Sequence, residues 1–424
     1  MPLDIIVVGA GIGGLCAAVA LQQAGHCVKI FEKSRFANPV GAGIVIAPNG
    51  ERVLKRLGFD FVRAQFDNST CLEAIDGFTL QRLHGVDLDN AQQEYGGSFY
   101  ALHRVDLQDE LLRLTSTLQL HLAAKVVAAD AEQGFVVLED GTRHYAHLII
   151  AADGLHSVLR GVVLGNSHVS QLTKSSMNLV RFSVPTSLLQ EDVHYHRLLQ
   201  VKGKGVSIYA DTTSEPERFF ACGQTQNFSC LHYNTQAGQQ DLKATLMAEI
   251  RHFHPSLIHL VDSYTSNSTL SGWPVFVLNA LPTWHRGKIV LIGDAAHPML
   301  PFSGQGANQA IEDAGALDAI LNGVQDINDI PRRLALFEQV RRLRASRVQK
   351  MSSVRPGKEK EVQTQLEQYA DPPGSDVPST FDERCKHDFG FDVYAACEKA
   401  MAKEGLAVQK SHFGAMAEMY ESPI

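Results

Sequence analysis

The sequence has few cysteines, and none are arranged to cross-link a fold. Its seven cysteines are scattered, their number is odd, and no C-x-x-C pair occurs. A disulfide framework or a zinc site is therefore not expected, and a reducing compartment, the cytoplasm, fits best. The eighteen histidines do not gather at ligand spacing either, so no metal site is predicted.

Positive charge is also scarce. The chain carries 38 basic and 46 acidic residues, a formal net charge of −8, which argues against nucleic acid or an anionic membrane as the main partner. The longest apolar stretch, IIVVGAGIGGLCAAVAL, contains four glycines and follows Asp4 in place of a basic segment. We therefore predict a buried strand and a packed helix there, not a signal peptide or a membrane span.

The chain is long enough for two domains, and its patterns differ between them. Residues 3–8, 15–24 and 27–31 read as a strand, a helix and a second strand, which together form a βαβ unit. Residues 170–270 alternate between apolar and polar side chains, as is typical of a mostly antiparallel sheet. Residues 351–390 are charged and contain prolines, so a surface linker is expected before a last helix near residues 394–403.

A glycine motif, G-x-G-x-x-G, occupies residues 9–14 between the predicted strand and helix. Gly9 permits the tight turn, Gly11 lets the backbone approach a pyrophosphate, and Gly14 lets helix and strand pack closely. Glu32 ends the second strand, where an acceptor for a ribose hydroxyl belongs. The pattern predicts dinucleotide binding, with a glycine-rich packing turn as the alternative. The acidic Glu32 makes NADP a poor occupant of this site.

Two later motifs each follow a predicted strand. Asp153-Gly154 comes after LIIAA, and on its own such a pair is more often a plain turn. The stretch GDAAHPMLPFSGQGANQAIEDAG places Asp294 at the carboxyl end of a strand, where α/β sheets bind ligands. Its small residues at 304–308 precede a predicted helix, so a flat ring could lie against free N–H groups. Two helix starts, far apart in sequence, are thus predicted to hold the two ends of one long cofactor.

In their order and spacing, GAGIGG with Glu32, DGLHSVLR and GDAAHPMLPFSGQGANQAIEDA resemble the motifs of class A flavoprotein monooxygenases, the p-hydroxybenzoate and salicylate hydroxylase family. The resemblance covers residues 1–345. It implies an α/β fold, with a Rossmann-like FAD-binding domain of GR2 type and a mostly antiparallel β-sheet substrate domain. We expect the former in residues 1–75, 100–168 and 275–345, the latter in 76–99 and 169–274, and a C-terminal helical or linker segment in 346–424.

The resemblance also implies which residues bind FAD around its adenosine and phosphate groups. Glu32 would hold the adenosine ribose, Arg104 would reach the pyrophosphate, and Asp294 would bind the ribityl chain. Asp153 would serve both FAD and NAD(P)H.

Around the flavin ring the resemblance implies a second set of residues. Ala42 and Gly43 would lie beside the ring, while Gly306, Ala307 and Asn308 would face its N1–C2=O edge. Reduced flavin is an anion at N1, and a helix start stabilises such a charge.

The reaction implied by the resemblance consumes NADH or NADPH and O2. FAD is reduced, O2 adds at flavin C4a, and the resulting hydroperoxide hydroxylates a small phenolic or heteroaromatic substrate. Pro301 would face the oxygen-transfer site through its carbonyl, the alternative being that the prolines merely terminate a strand. Arg181 and Tyr209 are candidates for stabilising a phenolate and relaying a proton, with a surface ion pair and a core tyrosine as alternatives.

Other assignments remain open at this point. The same chemistry could serve an epoxidase or a dearomatising oxygenase in natural-product biosynthesis, and a protein that binds FAD without turnover is the non-enzymatic alternative. The aromatic substrate, the choice between NADH and NADPH, and the choice between monomer and homodimer are not fixed by the sequence. Further candidates for the substrate site are His194, His196 and His232, although a structural role is predicted for each. Trp273 and Trp284 are predicted to be packing residues, with substrate walls as the alternative.

Overall fold

The computed structural model describes most of the chain, in eleven segments. They are residues 2–35, 43–69, 71–165, 172–185, 188–189, 191–199, 207–211, 218–222, 227–234, 241–268 and 270–406. The strands are β1 (Asp4–Val8), β2 (Cys27–Phe31), β3 (Gly43–Ile46), β4 (Asp67–Asn68), β5 (Cys71–Asp76), β6 (Arg82–Asp87), β7 (Tyr100–His103), β8 (Gln119–His121), β9 (Val126–Asp130), β10 (Phe135–Leu138), β11 (Arg143–Tyr145), β12 (Leu148–Ala151), β13 (Thr173–Pro185), β14 (Ser207–Asp211), β15 (Arg218–Cys222), β16 (Asn227–Asn234), β17 (Ser271–Val277), β18 (His285–Arg286) and β19 (Ile289–Leu291).

Helices alternate with these strands and close the C-terminal part of the described chain. They are α1 (Ile12–Gln23), α2 (Pro48–Arg56), α3 (Ala91–Tyr95), α4 (Arg104–Leu114), α5 (Leu159–Leu164), α6 (Val193–Leu199), α7 (Leu242–Glu249), α8 (Pro255–Tyr264), α9 (Gly306–Leu321), α10 (Ile330–Met351), α11 (Gln363–Glu367), α12 (Phe381–Phe389) and α13 (Val393–Lys403). Short 3-10 turns occur at Gly293–Ala295 and Pro301–Ser303.

A parallel-dominated sheet forms the first layer of the mixed α/β structure. Its order is β18-β19-β12-β1-β2-β8, and every pair except β18–β19 is parallel. The residues of β12 and β19 are all buried, because helices cover both faces of such a sheet. The predicted βαβ unit is confirmed, although α1 begins at Ile12 and so includes the last glycines of the motif.

A second sheet has the order β17-β13-β16-β14-β15-β5-β6. Its neighbours are antiparallel except for β14 and β16. Most of its strands come from the stretch where alternation predicts antiparallel pairing. The strand β5 also joins this sheet, although the boundary predicted after residue 75 assigns it to the other domain. Because β5 pairs with β6 in a hairpin, both strands belong to the second sheet.

The C-terminal part of the described chain is better packed than its composition predicts. The helix α10 runs through the boundary predicted at residue 345, and the last helix near residues 394–403 is confirmed as α13. The expected surface linker over residues 351–390 is wrong for its second half, where Arg384 and Asp388 on α12 are buried. Arg344 of α10 donates hydrogen bonds to two carbonyls of α12 and so holds this segment in place.

The described segments hold neither a membrane-spanning helix nor a cluster of metal-binding side chains. Among these residues, no helix combines the length and the apolar character that a membrane crossing requires. In the same residues, no group of His, Cys, Asp and Glu side chains is arranged to hold a metal ion.

Candidate cofactor and substrate site

The glycine turn before α1 is shaped by two positions that cannot carry a side chain. Gly9 has a φ of +102°, and a Cβ on it would overlap the carbonyl oxygen of Ala152. A Cβ on Gly14 would overlap the carbonyl oxygen of Gly9. A Cβ on Gly11, by contrast, would meet no atom within 4 Å. Gly11 therefore borders open space, as a backbone that receives a ligand must.

Glu32 holds this turn from the end of β2. One carboxylate oxygen accepts a hydrogen bond from the N–H of Ala10 at 2.8 Å, and the other accepts one from the N–H of Ser34 at 2.7 Å. The side chain is buried against the glycine turn. A carboxylate oxygen has two acceptor lone pairs, so each oxygen can accept a further hydrogen bond from a ribose hydroxyl.

The helix starts of α1 and α9 lie together, and neither is capped by a side chain. The first bond inside each helix runs from Leu15 N–H to Gly11 O, and from Gln309 N–H to Gln305 O. The three N–H groups before each donor therefore have no partner inside their helix. A Cβ on Gly13 of α1 would lie 3.1 Å from the Cβ of Ala310 of α9. Two positive helix ends thus face one region of the protein.

Asn308, predicted to face the flavin, uses its side chain for the protein itself. It is fully buried, and its Oδ1 accepts a hydrogen bond from Ala47 N–H at 2.9 Å. Its Nδ2 donates to the carbonyls of Val45 and Gly304, each at 3.0 Å. The side chain therefore fastens α9 to the corner between β3 and α2. This leaves the backbone N–H of Asn308 as the group that can meet a ring edge, together with those of Gly306 and Ala307.

Asp294 follows β19 and lies where the parallel strands end. Its side chain is open to solvent, yet protein atoms surround it, which is the situation of a residue at the bottom of a cleft. Burial by those atoms raises the pKa of the Asp294 carboxyl, and the charges of His297, Arg104 and Arg160 oppose the rise. The structure thus brings Arg104 and Asp294, predicted from separate motifs, into one electrostatic environment.

The Asp153 motif is joined to the Asp294 motif by an arginine that residue-by-residue reasoning missed. Asp153 Oδ2 accepts hydrogen bonds from Val158 N–H at 2.8 Å and Leu159 N–H at 3.1 Å, at the start of α5. Arg160 is buried and donates to Leu155 O at 2.5 Å and to Ala295 O at 3.1 Å. The sequence feature that could have identified Arg160 is its position as the last residue of the DGLHSVLR motif.

The proline loop, residues 297–301, is anchored on α10. Gln349 Nε2 donates to the carbonyl of Pro298 at 3.0 Å and to the carbonyl of Leu278 at 3.0 Å. Ser303, in the turn that begins at Pro301, hydrogen-bonds Ser352 through their hydroxyls at 2.6 Å. The loop is therefore fixed to the end of α10 and to Leu278, just after the last strand of the second sheet.

A cluster of buried charged side chains links α9 to the turn that carries Asp294. Asp313 accepts hydrogen bonds from Gly293 N–H at 2.9 Å and from Arg341 Nε at 2.8 Å, and its Oδ2 lies 2.7 Å from His297 Nε2. Burial opposes ionisation of Asp313, but the charges of His297 and Arg341 outweigh it and hold its pKa below the ordinary value. The turn that carries Asp294 is thereby tied to α9.

Arg181 and Tyr209 occupy one cross-strand row of the second sheet. Both positions are in register with Leu231, Arg181 from β13 and Tyr209 from β14. Paired positions on neighbouring strands share a face of the sheet. The neighbours Val180 and Phe182 belong to the core with α7 and α8, so position 181 lies on the other face. Their side chains, and Ala42 as a whole, lie outside the described residues.

Three other predicted residues can be placed. His194 packs on His259 of α8, with ring centroids 4.2 Å apart, on the helix side of the second sheet. Trp284 is fully buried, so its packing role is confirmed. Trp273, in contrast, is 42% exposed, so its packing role stays a prediction.

Known proteins resemble this chain in sequence. A family model described as "FAD binding domain" matches residues 2–352. The chain is 33% identical over 392 residues to FAD-dependent monooxygenase phomE' of Diaporthe leptostromiformis, covering 88% of this chain and 96% of the relative. It is 30% identical over 361 residues to 6-hydroxynicotinate 3-monooxygenase of Bordetella bronchiseptica, covering 82% and 90%.

A solved structure shows the same fold. A salicylate hydroxylase in a substrate complex superposes with a TM-score of 0.67 at 23% identity, covering 94% of this chain and 98% of that chain.

Proposed function

Since the chain belongs to the FAD binding domain family, among the class A flavoprotein monooxygenases, we propose that it hydroxylates a small phenolic or heteroaromatic substrate. The reaction consumes O2 and either NADH or NADPH, with FAD as the resident cofactor. The observation that carries the proposal is the contact between the starts of α1 and α9, with Asp294 at the bottom of the adjoining cleft.

The residues around that cleft fit FAD. Glu32 suits the adenosine ribose, because its carboxylate is an acceptor beside the glycine turn. Arg104 and the free N–H groups of α1 suit the pyrophosphate. Asp294 suits the hydroxyls of the ribityl chain, and Asp153 lies where it can serve both FAD and NAD(P)H.

Beside the ring, the first N–H groups of α9 at Gly306, Ala307 and Asn308 suit the flavin N1–C2=O edge, with Ala42 and Gly43 on its flank. When bound, FAD accepts reducing equivalents from NAD(P)H and activates O2 for transfer to the substrate. The positive end of α9 stabilises negative charge that develops on the ring, which is the electrostatic contribution of this chain.

The two sheets belong to two domains with different roles in this proposal. We assign the parallel-dominated sheet, with α1 and α9, to a Rossmann-like FAD-binding domain of GR2 type, and the second sheet to a mostly antiparallel substrate domain. The substrate then lies between the cleft and the face of the second sheet that carries positions 181 and 209. The C-terminal helix α12 belongs with the FAD-binding domain, because Arg344 anchors it to α10. The helix α13 belongs with it too, because its buried residues share one core with those of β1 and α9.

Three residues act on the substrate in this proposal. Arg181 stabilises a phenolate or a carboxylate of the substrate, and Tyr209 relays the phenolic proton. Pro301 stiffens the loop that excludes water and presents its carbonyl to the reacting carbon. The protein works in the cytoplasm as a monomer or a homodimer.

The proposal is tested with purified protein and a panel of phenols, salicylates and heteroaromatic acids. We expect yellow protein with FAD bound, NADH or NADPH oxidation that at least one aromatic compound accelerates, and a product heavier by one oxygen atom. Product structure separates ring hydroxylation from epoxidation or dearomatisation. Yellow protein with no acceleration across the panel would instead support FAD binding without turnover.

The substrate residues are tested by Arg181→Met and Tyr209→Phe. Both variants should retain FAD and lose product formation, with NAD(P)H diverted to hydrogen peroxide. Full coupling of NAD(P)H oxidation to product in either variant would remove that residue from the site.

A further inference from the structure

Trp273 is a large aromatic residue that the fold leaves open. It lies on the edge strand β17 and is 42% exposed, while Trp284, the second of the two tryptophans in the chain, is fully buried. A single exposed aromatic is common on protein surfaces and carries no function by itself. The position of Trp273 in the sheet is what sets it apart.

The two faces of β17 can be told apart by their neighbours. A Cβ on Gly272 would lie 3.0 Å from a side-chain carbon of Leu242 on α7, so position 272 faces the helices. Its register partner Val180 belongs to the core that α7 and α8 cover. Successive residues of a strand point to opposite faces. Trp273 and its partner Leu179 therefore lie on the face away from these helices.

That face is the one assigned to the substrate. Position 181 is two residues from Leu179 on β13, and its register partner on β17 is Ser271, two residues from Trp273. Alternate residues of a strand lie on one face, so Trp273 flanks the row that contains positions 181 and 209.

The end of β17 connects this face to the proline loop. The strand ends at Val277, and the carbonyl of the next residue, Leu278, shares the amide of Gln349 with the carbonyl of Pro298. Five residue steps of extended chain lead from Trp273 to Leu278, roughly 16 Å along the strand. Trp273 is thus joined to the proline loop by one short, continuous stretch of chain and the Gln349 amide.

We propose that Trp273 forms the wall on which the aromatic ring of the substrate stacks, and that it determines specificity for flat rings. The inference rests on the proposed function and assigns one of its binding residues. An indole offers a large apolar face at small entropic cost, and offset or edge-to-face ring pairs gain energy beyond area burial. A saturated ring of the same charge makes no such contact, so Trp273 distinguishes aromatic from alicyclic acids.

The kinetic test uses Trp273→Ala and Trp273→Phe, with Phe78→Ala as the matched control. Phe78 is 68% exposed in the turn between β5 and β6, far along the sheet from β17. With salicylate and 6-hydroxynicotinate as probes, Trp273→Ala should raise KM by about 10- to 100-fold and change kcat little. Trp273→Phe should recover most of the affinity, Phe78→Ala should match the wild type, and all three should retain FAD.

A binding test uses fluorescence. Because Trp284 is buried, the probes should quench tryptophan emission in the wild type and leave that of Trp273→Phe unchanged after inner-filter correction. An unchanged KM in Trp273→Ala, in a protein whose NAD(P)H oxidation responds to the probes, would overturn the role of Trp273. No response of the wild type to any aromatic compound would contradict the proposed function instead.

Discussion

Gly13 of α1 and Ala310 of α9 are in contact through a position where only a glycine fits comfortably. A Cβ on Gly13 would lie 3.1 Å from that of Ala310, closer than ordinary packing. The helices that start here lie near opposite ends of residues 2–352, which the FAD binding domain family model matches. Their contact places two uncapped helix N-termini, each of the kind that can bind an anion, in one region of the protein.

A pair of glycine substitutions should separate packing from cofactor contact. Gly13→Val should push α9 away and lower both the thermal midpoint of the apoprotein and FAD affinity. Gly11→Ala should leave the apoprotein midpoint unchanged, because a Cβ there meets open space, and weaken FAD binding by about 10-fold or more. Differential scanning fluorimetry and FAD titration measure both quantities. Wild-type FAD affinity in Gly11→Ala would contradict the placement of the pyrophosphate.

Asp294→Asn should stabilise the apoprotein against unfolding and weaken its affinity for FAD. Burial raises the pKa of the Asp294 carboxyl above its ordinary value of 3.8, so its ionised form costs folding free energy at neutral pH. The gain in thermal midpoint should be present at pH 7 and vanish as the pH falls to about 4. FAD affinity should drop in the same variant. Asp89→Asn, at an exposed residue, is the control and should change neither.

Asn308→Asp should destabilise the protein although the two side chains have the same shape. The change removes the donor to the carbonyls of Val45 and Gly304 and buries a carboxylate against them. We expect a loss of about 2–4 kcal/mol in the free energy of unfolding. Asn90→Asp, at an exposed residue before α3, should stay within about 0.5 kcal/mol of the wild type. Equal stability of the two variants in urea unfolding would argue against the role of the Asn308 side chain in fastening α9 to the corner between β3 and α2.

Glu338 should make stability depend on pH in the acid range. Burial opposes its ionisation, but hydrogen bonds from His285, Trp284 N–H and Thr283 lower its pKa from 4.5 to about 2. A lowered carboxyl pKa gives stability that is present above about pH 4.5 and is lost as the pH falls toward 2. Glu338→Gln should therefore be less stable than the wild type at pH 7, and the difference in urea midpoint should narrow at pH 3. A constant difference would refute this assignment.

Arg344→Met should loosen the C-terminal helices. The guanidinium is buried, pairs with Glu312 at 3.0 Å, and donates to the carbonyls of His387 and Asp388. Its loss leaves a buried carboxylate without this partner, at a cost of about 3–5 kcal/mol. Limited proteolysis should then cut within residues 351–406. Arg332→Met, which removes an exposed pair with Glu404, should leave the cleavage pattern unchanged.

The structural features around the candidate site that the sequence predicted are those set by local chemistry. Gly9, Gly14 and Glu32 follow from the geometry of one turn, and that turn recurs wherever a strand feeds a helix at a pyrophosphate. The bounds of β1, β2 and α13 follow from hydrophobic runs and glycine stops. These features need no knowledge of distant partners.

The parts that escaped prediction depend on contacts between distant segments. The side chain of Asn308 hydrogen-bonds Val45 and Ala47, and Arg160 bonds Ala295. Composition suggested a linker around α12, because the charges of Arg384 and Asp388 read as a solvated surface. In the fold they are buried among other charges. Whether such charged side chains are buried depends on their partners in distant segments, and a single sequence does not show which segments pair.

Glu32 gives the glycine turn its shape before any ligand contributes to it. Its carboxylate already bridges the amides of Ala10 and Ser34, so the turn has little conformational freedom left to lose when FAD arrives. Replacing Glu32 would then weaken affinity through two routes, a missing ribose acceptor and a disordered loop. The disordered loop would lower the association rate of FAD, because a turn that is rarely in its binding conformation captures its ligand in fewer encounters.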